Sequence, residues 1–422
     1  MGKVNTRNRN EGKFYKNGKK KPANWEYRFE AAPVNGKRQQ ISDAGYPTEK
    51  AAYEAGIAAY EKYNSAGSVN KPKEISVADY LDYWLENAIR KNLHVGYTYN
   101  TYSGYENIVR NHLKPAFGQY RLYALANSPD VVQRFIDGMK LKGFSRNMIS
   151  NTLSCLSGAF NYAIQPLRYV QQNPCLYVKI GRMPKNTKSK EHKEYVLPQE
   201  EFQRILARFP EGTSSYLPLM VGYYLGTRIS ETYGIDLLHN LDLENNEIHI
   251  AQQLTKEDHA WFFRPPKYES YRTVKFGDTL KQALQNELHQ RKKNMIEYGP
   301  YYMKTYRLPD NSIVQYRADL PVPYQEIYPL VVQECGQLYT PDSFKYCARV
   351  VHYDLGNPLF HSHCLRHTHG TRLAENGVNP KTVMERLGHR DIKTTLQNPQ
   401  QTAIYAIALT KGWAVSGINF AN

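Results

Sequence analysis

Two lysine-bearing, turn-forming stretches, Asn64–Lys73 and Lys185–Lys193, interrupt the apolar patterns of this chain and limit how it can fold. A chain of 422 residues divided at those points gives three parts, each of which must close a core of its own. In the first, Lys13, Lys16, Lys19, Lys20 and Lys21 precede Trp25-Glu26-Tyr27-Arg28-Phe29-Glu30, an alternation that suits a half-buried strand. Asn35-Gly36 is a hairpin signal, with Lys37 to Ile41 as the return strand. Thr48 can cap a helix over Glu49–Tyr63. Such a module is too small for an enzyme. Its lysines suit a sheet laid on DNA, or merely a solvated basic face.

The second part is helical. Val77, Tyr80, Leu81 and Trp84 recur at helical spacing, and further helices are expected over Thr98–His112, Pro129–Lys140 and Ser145–Ile164. Arg90, Lys91, Arg110, Lys114, Lys140, Lys142 and Arg146 lie between the apolar stripes and suit either a DNA groove or a solvated surface.

The third part changes character. Helices are expected over Pro198–Phe209 and Ser215–Gly226, followed by Gly226-Thr227-Arg228-Ile229-Ser230-Glu231 opening another. Glu247–Leu254, His259–Phe263 and Tyr271–Phe276 read as three strands of one small sheet, with Pro265-Pro266-Lys267 in the second turn. A long helix over Thr279–Tyr298 follows. Residues 299–358 read as an insertion of loops, with a hairpin at Ile313–Tyr316 and a helix near Tyr324–Cys335. His363 and Arg366 then share one helix face, and a second helix ends near Gly388, just before His389.

His361, His363, Cys364, His367 and His369 fall within nine positions, which raises the question of zinc. Arg366 in their midst repels a dication, and neither an HExxH nor a CxxC frame completes a site. No metal or cofactor is expected. A guanidinium beside imidazoles suits an anion instead, its fork matching phosphate oxygens. The balance of 55 Lys+Arg against 39 Asp+Glu, a formal charge of +16, favours a polyanionic partner, of which nucleic acid is the common one. Five scattered cysteines argue against a disulfide framework and for a reducing compartment. With no apolar run of membrane length and no signal-like start, a soluble cytoplasmic protein is expected.

Taken singly, Arg228 could form a surface salt bridge to Glu231, and Lys267 could be a solvated turn lysine. Taken in order, the motifs resemble those of the tyrosine recombinases, specifically phage and conjugative-element integrases. Gly226 to Glu231 resembles the family's first arginine box, and Pro266-Lys267 with Ser270-Tyr271-Arg272-Thr273 its lysine hairpin. His363-Cys364-Leu365-Arg366-His367 and Leu387-Gly388-His389 resemble its second box. The resemblance implies a multidomain α+β protein. An arm-binding sheet-and-helix domain would occupy 1–66, a helical SAM-like core-binding domain 74–180, and a mainly helical catalytic domain with a small sheet 194–410, before a tail at 411–422. It implies site-specific DNA breakage and rejoining through a 3′-phosphotyrosyl bond, for integration or excision of a mobile element. The partners would be double-stranded arm and core sites, sibling protomers in a tetramer, and excision or host bending factors, in the nucleoid of a bacterial host. Arg228, Arg366 and His389 would hold the phosphate, His363 would assist proton transfer at the phenol, and Lys267, on a mobile hairpin, would protonate the leaving oxygen.

The pattern breaks at one place. The family carries its nucleophile about nine or ten residues after the last histidine, where this chain has Asn398 and Pro399. Tyr405 is the only tyrosine after His389. Either Tyr405 reaches the site through a longer loop, or the natural end is replaced and the chain binds attachment sites without cleaving them.

Overall fold

A computed structural model describes residues 4–34, 37–64, 75–183 and 195–391. The Asn35-Gly36 turn, the linkers at Lys185–Lys193 and after Asn64, Tyr405 and the tail lie outside the described residues. The chain forms two compact units, 1–188 and 189–422.

The first unit begins with an antiparallel sheet in the order β1 (Asn5–Asn8), β2 (Trp25–Val34), β3 (Lys37–Tyr46). Pairing Phe29 with Ile41 and Tyr27 with Asp43 sets its register. Alternation puts Tyr27 and Phe29 on one face, where α1 (Glu49–Asn64) covers them, with Phe29 edge-on to Tyr60 at 5.2 Å. Thr48 caps this helix, its hydroxyl accepting from the Ala51 N–H at 3.2 Å.

Helices then follow in sequence: α2 (Val77–Trp84), α3 (Tyr99–Ile108), α4 (Lys114–Phe117), α5 (Leu122–Ala126), α6 (Pro129–Leu141) and α7 (Arg146–Ile164). Val77, Tyr80, Leu81 and Trp84 are all buried, as one stripe of α2 requires. Ser145 caps α7 through the Met148 N–H at 3.2 Å, and α7 returns Leu156, Ala159 and Phe160 to the same core. The expected helices are all present.

The second unit contains α8 (Gln199–Arg208), α9 (Tyr216–Leu225), α10 (Ile229–Thr232), β4 (Leu241–Asp242), β5 (Glu247–Ile250), β6 (Gln253–Glu257), β7 (Ala260–Arg264), β8 (Arg272–Lys275) and α11 (Asp278–Tyr298). These are followed by β9 (Met303–Arg307), β10 (Ile313–Arg317), β11 (Gln325–Ile327), α12 (Ser343–Tyr353), α13 (Ser362–Glu375) and α14 (Pro380–Leu387). The single sheet expected over Glu247–Phe276 is in fact two. The strand pairs run β4-β5-β8, while β6-β7 is a separate hairpin. The expected first strand, Glu247–Leu254, is broken at Ala251-Gln252, so β5 pairs with β8 and β6 with β7.

Residues 299–358 also differ from expectation. They supply a third sheet, β10-β9-β11, and pack Ile327, Leu330, Val331, Phe344, Cys347 and Val351 into the main core. The helix expected near Tyr324–Cys335 is strand β11 followed by loop. Pro329 falls within that stretch, and a proline in a helix interior removes a hydrogen bond and clashes with the preceding turn. The helix of this region is α12, whose Phe344, Cys347, Val350 and Val351 share one buried face. Among the described residues no helix is long and apolar enough to cross a membrane.

Candidate active site

The site is built from chain reversals at two helix ends. Helix α9 is apolar almost all round and buried, and it ends at Gly226 in the left-handed region (φ 67°). A Cβ at Gly226 would come within 2.7 Å of both His369 and Leu387, so the turn needs glycine for its conformation and for space. The reversal makes Arg228 the N-cap of α10. At the other end, α14 closes on Gly388 (φ 67°), and the next residue is His389. Between them α13 presents His363 in its first turn and Arg366 one turn later.

Glu231 organises the guanidinium groups. Fully buried, it accepts from the Arg228 backbone N–H at 3.0 Å and from Arg228 Nη1 at 2.5 Å. It also accepts from Arg272 Nη2 at 2.7 Å. Burial alone would raise its pKa. Hydrogen bonds and charge from Arg272, with the charge of Arg228, outweigh burial and bring it down to about 2. Glu231 is therefore a buried carboxylate between two arginines, not half of a surface salt bridge. Arg228 donates its other arm, Nη2, to the Gly388 carbonyl at 3.0 Å, tying the first arginine to the loop that bears His389.

Arg366 is 2% exposed. Its Nη1 donates to the Gly226 carbonyl at 2.9 Å, while Nη2 is buried with no hydrogen-bond partner. Burial, followed by the charge of Arg228, lowers its pKa to about 9. Burial, then Arg366, then His361 and Arg228 push His363 down to about 4; burial, Arg366 and Arg228 push His389 down to about 3. His363 and His389 both feel the positive charge of Arg366 and Arg228, and the four groups lie close enough to make one cationic pocket. Such a pocket is unfavourable when empty and favourable around an anion with several oxygens.

The structure thus brings Arg228, His363, Arg366 and His389 together. Lys267 is exposed on the turn between β7 and β8 with its Nζ 5.0 Å from the centre of the Tyr268 ring. Tyr405 falls outside the described residues. Sequence reasoning missed Glu231 as an anchor, and it missed a staple beneath α14. There Arg386 Nε donates to His369 Nε2 at 2.9 Å, His369 Nδ1 donates to the Tyr223 carbonyl at 3.0 Å, and Arg386 Nη2 donates to the Lys275 carbonyl at 2.8 Å. The Arg386 carbonyl accepts from Arg272 Nε at 2.8 Å. Burial and then the charge of Arg386 hold His369 well below its ordinary pKa, which matches the acceptor role of its Nε2.

Comparison with known proteins places the chain in a family. The Phage integrase family pattern matches residues 195–401, and the family's N-terminal SAM-like domain matches 76–140. The chain is 25% identical over 309 residues to tyrosine recombinase XerC of Listeria welshimeri, covering 71% of this chain and 86% of that one. It is 26% identical over 269 residues to the transposase from transposon Tn916 of Enterococcus faecalis, covering 61% and 59%. Among solved structures, the Tn1549 transposon integrase with transposon right end DNA superposes with a TM-score of 0.57 at 21% identity, covering 80% of this chain and all of that one. A lambda integrase dimer on a core site gives 0.50 at 12% identity, covering 93% and 95%. The chain belongs to the phage integrase family of tyrosine recombinases, enzymes that break and rejoin DNA at specific sites.

Proposed function

We propose that the pocket around Arg366 grips one phosphodiester of a core attachment site, in a recombinase that integrates or excises a mobile element. One observation carries this reading: a buried guanidinium with Nη2 unpartnered, whose positive charge is felt by His363 and His389 and which itself feels that of Arg228. Arg228 and Arg366 clamp the non-bridging oxygens, and His389 adds a third donor. Fixed positive charge of this kind stabilises a phosphoryl transition state in which negative charge gathers. His363, held neutral near physiological pH, accepts the proton of an attacking phenol. Lys267 returns a proton to the departing 5′ oxygen, and the 3′-phosphotyrosyl ester keeps the energy needed to rejoin. The pieces at 74–180 and 194–410 hold the core site. The module at 1–66 takes arm sites, with Arg7, Arg28 and its run of lysines toward the backbone. The assembly is a tetramer in the bacterial nucleoid, assisted by excision or host bending factors.

Asn398 and Pro399, at the positions where the family carries its tyrosine, favour a second reading: a chain that occupies attachment sites without cutting them. A nicked core-site substrate resolved on a denaturing gel separates the two. A covalent band that disappears in Tyr405→Phe makes Tyr405 the nucleophile. A footprint with no band establishes the binding reading.

A further inference from the structure

The strand that leads to Lys267, β7, is followed by Pro265 and Pro266, neither of which has an N–H to extend the ladder. The last backbone pair of the β6-β7 hairpin is Gln253 with Arg264. Beyond it the Gln253 side chain takes over. Its Nε2 donates to the Pro265 carbonyl at 2.9 Å, and its Oε1 accepts from the Ser230 hydroxyl at 3.0 Å. Ser230 lies in α10, the helix that Arg228 caps. At the other end of the turn, Ser270 Oγ lies 3.5 Å from Arg228 Nη1, and the Ser270 carbonyl accepts from Arg272 Nη1 at 3.1 Å. Both ends of the lysine turn are therefore fastened to the arginine cluster, one of them through a single amide.

We propose that Gln253 is a positioning residue that sets the reach of Lys267 toward the leaving 5′ oxygen, measured from the phosphate held by Arg228. The inference rests on the assignment of Lys267 given above. Glutamine suits the task because the strap needs a donor toward Pro265 and an acceptor toward Ser230 on the same planar group. A glutamate would keep the Ser230 bond and turn an acceptor toward the Pro265 carbonyl.

The test reads the position of Lys267 without requiring a nucleophile. A core-site duplex, selected by binding to the full chain, is nicked and given an aldehyde at its 5′ carbon, then treated with borohydride. The Lys267 amine condenses with the aldehyde, water leaves, and hydride reduces the imine to a stable amine. The unmodified chain should crosslink, and Lys267→Met should not. Gln253→Glu should lose about tenfold in crosslink yield, the scale of one hydrogen bond replaced by repulsion, with DNA affinity within about twofold and a thermal midpoint lowered by only about 2–4 °C. Ser230→Ala should lose about twofold to threefold, and Ser230→Thr should restore the yield. Equal crosslinking in Gln253→Glu, or a loss matched by an equal loss of DNA affinity, overturns the positioning role. No selectable duplex, or a footprint with no Lys267 crosslink in the unmodified chain, overturns the reading on which that role depends.

Discussion

The phosphate pocket and the lysine turn are neighbours in sequence logic and opposites in construction. Arg366 and Glu231 are buried, and Arg228 and Arg272 are held by a carboxylate that has no contact with water. Lys267, Tyr268 and Glu269 are exposed, and two of them have positive φ, 63° and 52°. Groups that stabilise charge on fixed oxygens work best when they need no reorganisation, so they repay burial and cross-bracing. A proton donor to an oxygen that departs has to meet a moving target, and a short turn fastened at its ends suits that role. The contrast predicts that substitutions in the pocket disturb folding and chemistry together, whereas substitutions in the turn disturb chemistry alone.

The largest effect should come from Glu231→Ala. Removing the carboxylate leaves the guanidinium groups of Arg228 and Arg272 buried or half-buried without their counter-charge, at a cost of about 3–5 kcal/mol. Urea unfolding of the full chain should show a lower midpoint, and DNA affinity should fall with it. Lys267→Ala in the same assay should change neither. A similar loss in both variants would erase the distinction between the two regions.

Acid should act on the pocket in two stages. His363, His367 and His389 are held neutral in the folded protein at about 4, 4 and 3, below their ordinary 6.5. The unfolded chain takes up those protons first, so stability falls as pH drops from 6.5 toward 4, by about 1 kcal/mol per histidine near pH 5.5. Glu231 behaves as a depressed carboxylate, and its contribution is complete above 4.5 and lost as pH falls toward 2. Bound DNA brings negative charge to the same pocket and should move the histidine pKa values upward. Selective 15N-histidine spectra with and without a core site would measure this. Histidine titrations unmoved by DNA would place the phosphate elsewhere.

These sensitivities also mark what could be read from the sequence. Arg228, His363, Arg366 and His389 were legible because each sits in a local motif whose helix end or turn fixes its direction. The stripe at Val77, Tyr80, Leu81 and Trp84 and the Ser145 cap were legible for the same reason. Glu231 was visible beside Arg228, but its burial depends on Arg272, 41 positions away. The Arg386–His369 staple spans 17 positions and reaches Tyr223 and Lys275 on two other elements. Neither has a local signature. The split of one expected sheet into two had the same origin, since strand pairing is a long-range choice. The misplaced helix at Tyr324–Cys335 had a local remedy in Pro329, whereas the periodicity that reveals α12 lies in a stretch otherwise rich in tyrosine and proline.

The smallest effect offers the sharpest test of the comparison. Tyr268 holds a left-handed conformation that costs a non-glycine residue about 1 kcal/mol, and asparagine pays less of it because its short side chain bonds locally. Tyr268→Asn also removes a ring lying 5.0 Å from Lys267 Nζ and 6.0 Å from Arg390 Cζ, exposed contacts that together contribute about 0.5 kcal/mol. The two changes nearly cancel, so the unfolding midpoint should stay within about 0.5 kcal/mol of the unmodified chain. The Lys267 crosslink should nevertheless change, because the ammonium loses its seat while the Gln253 strap remains. A large loss of stability in Tyr268→Asn would mean that the turn is braced as firmly as the pocket. A stable variant with altered crosslinking would show that this region is tuned for where one amine rests, not for holding the fold together.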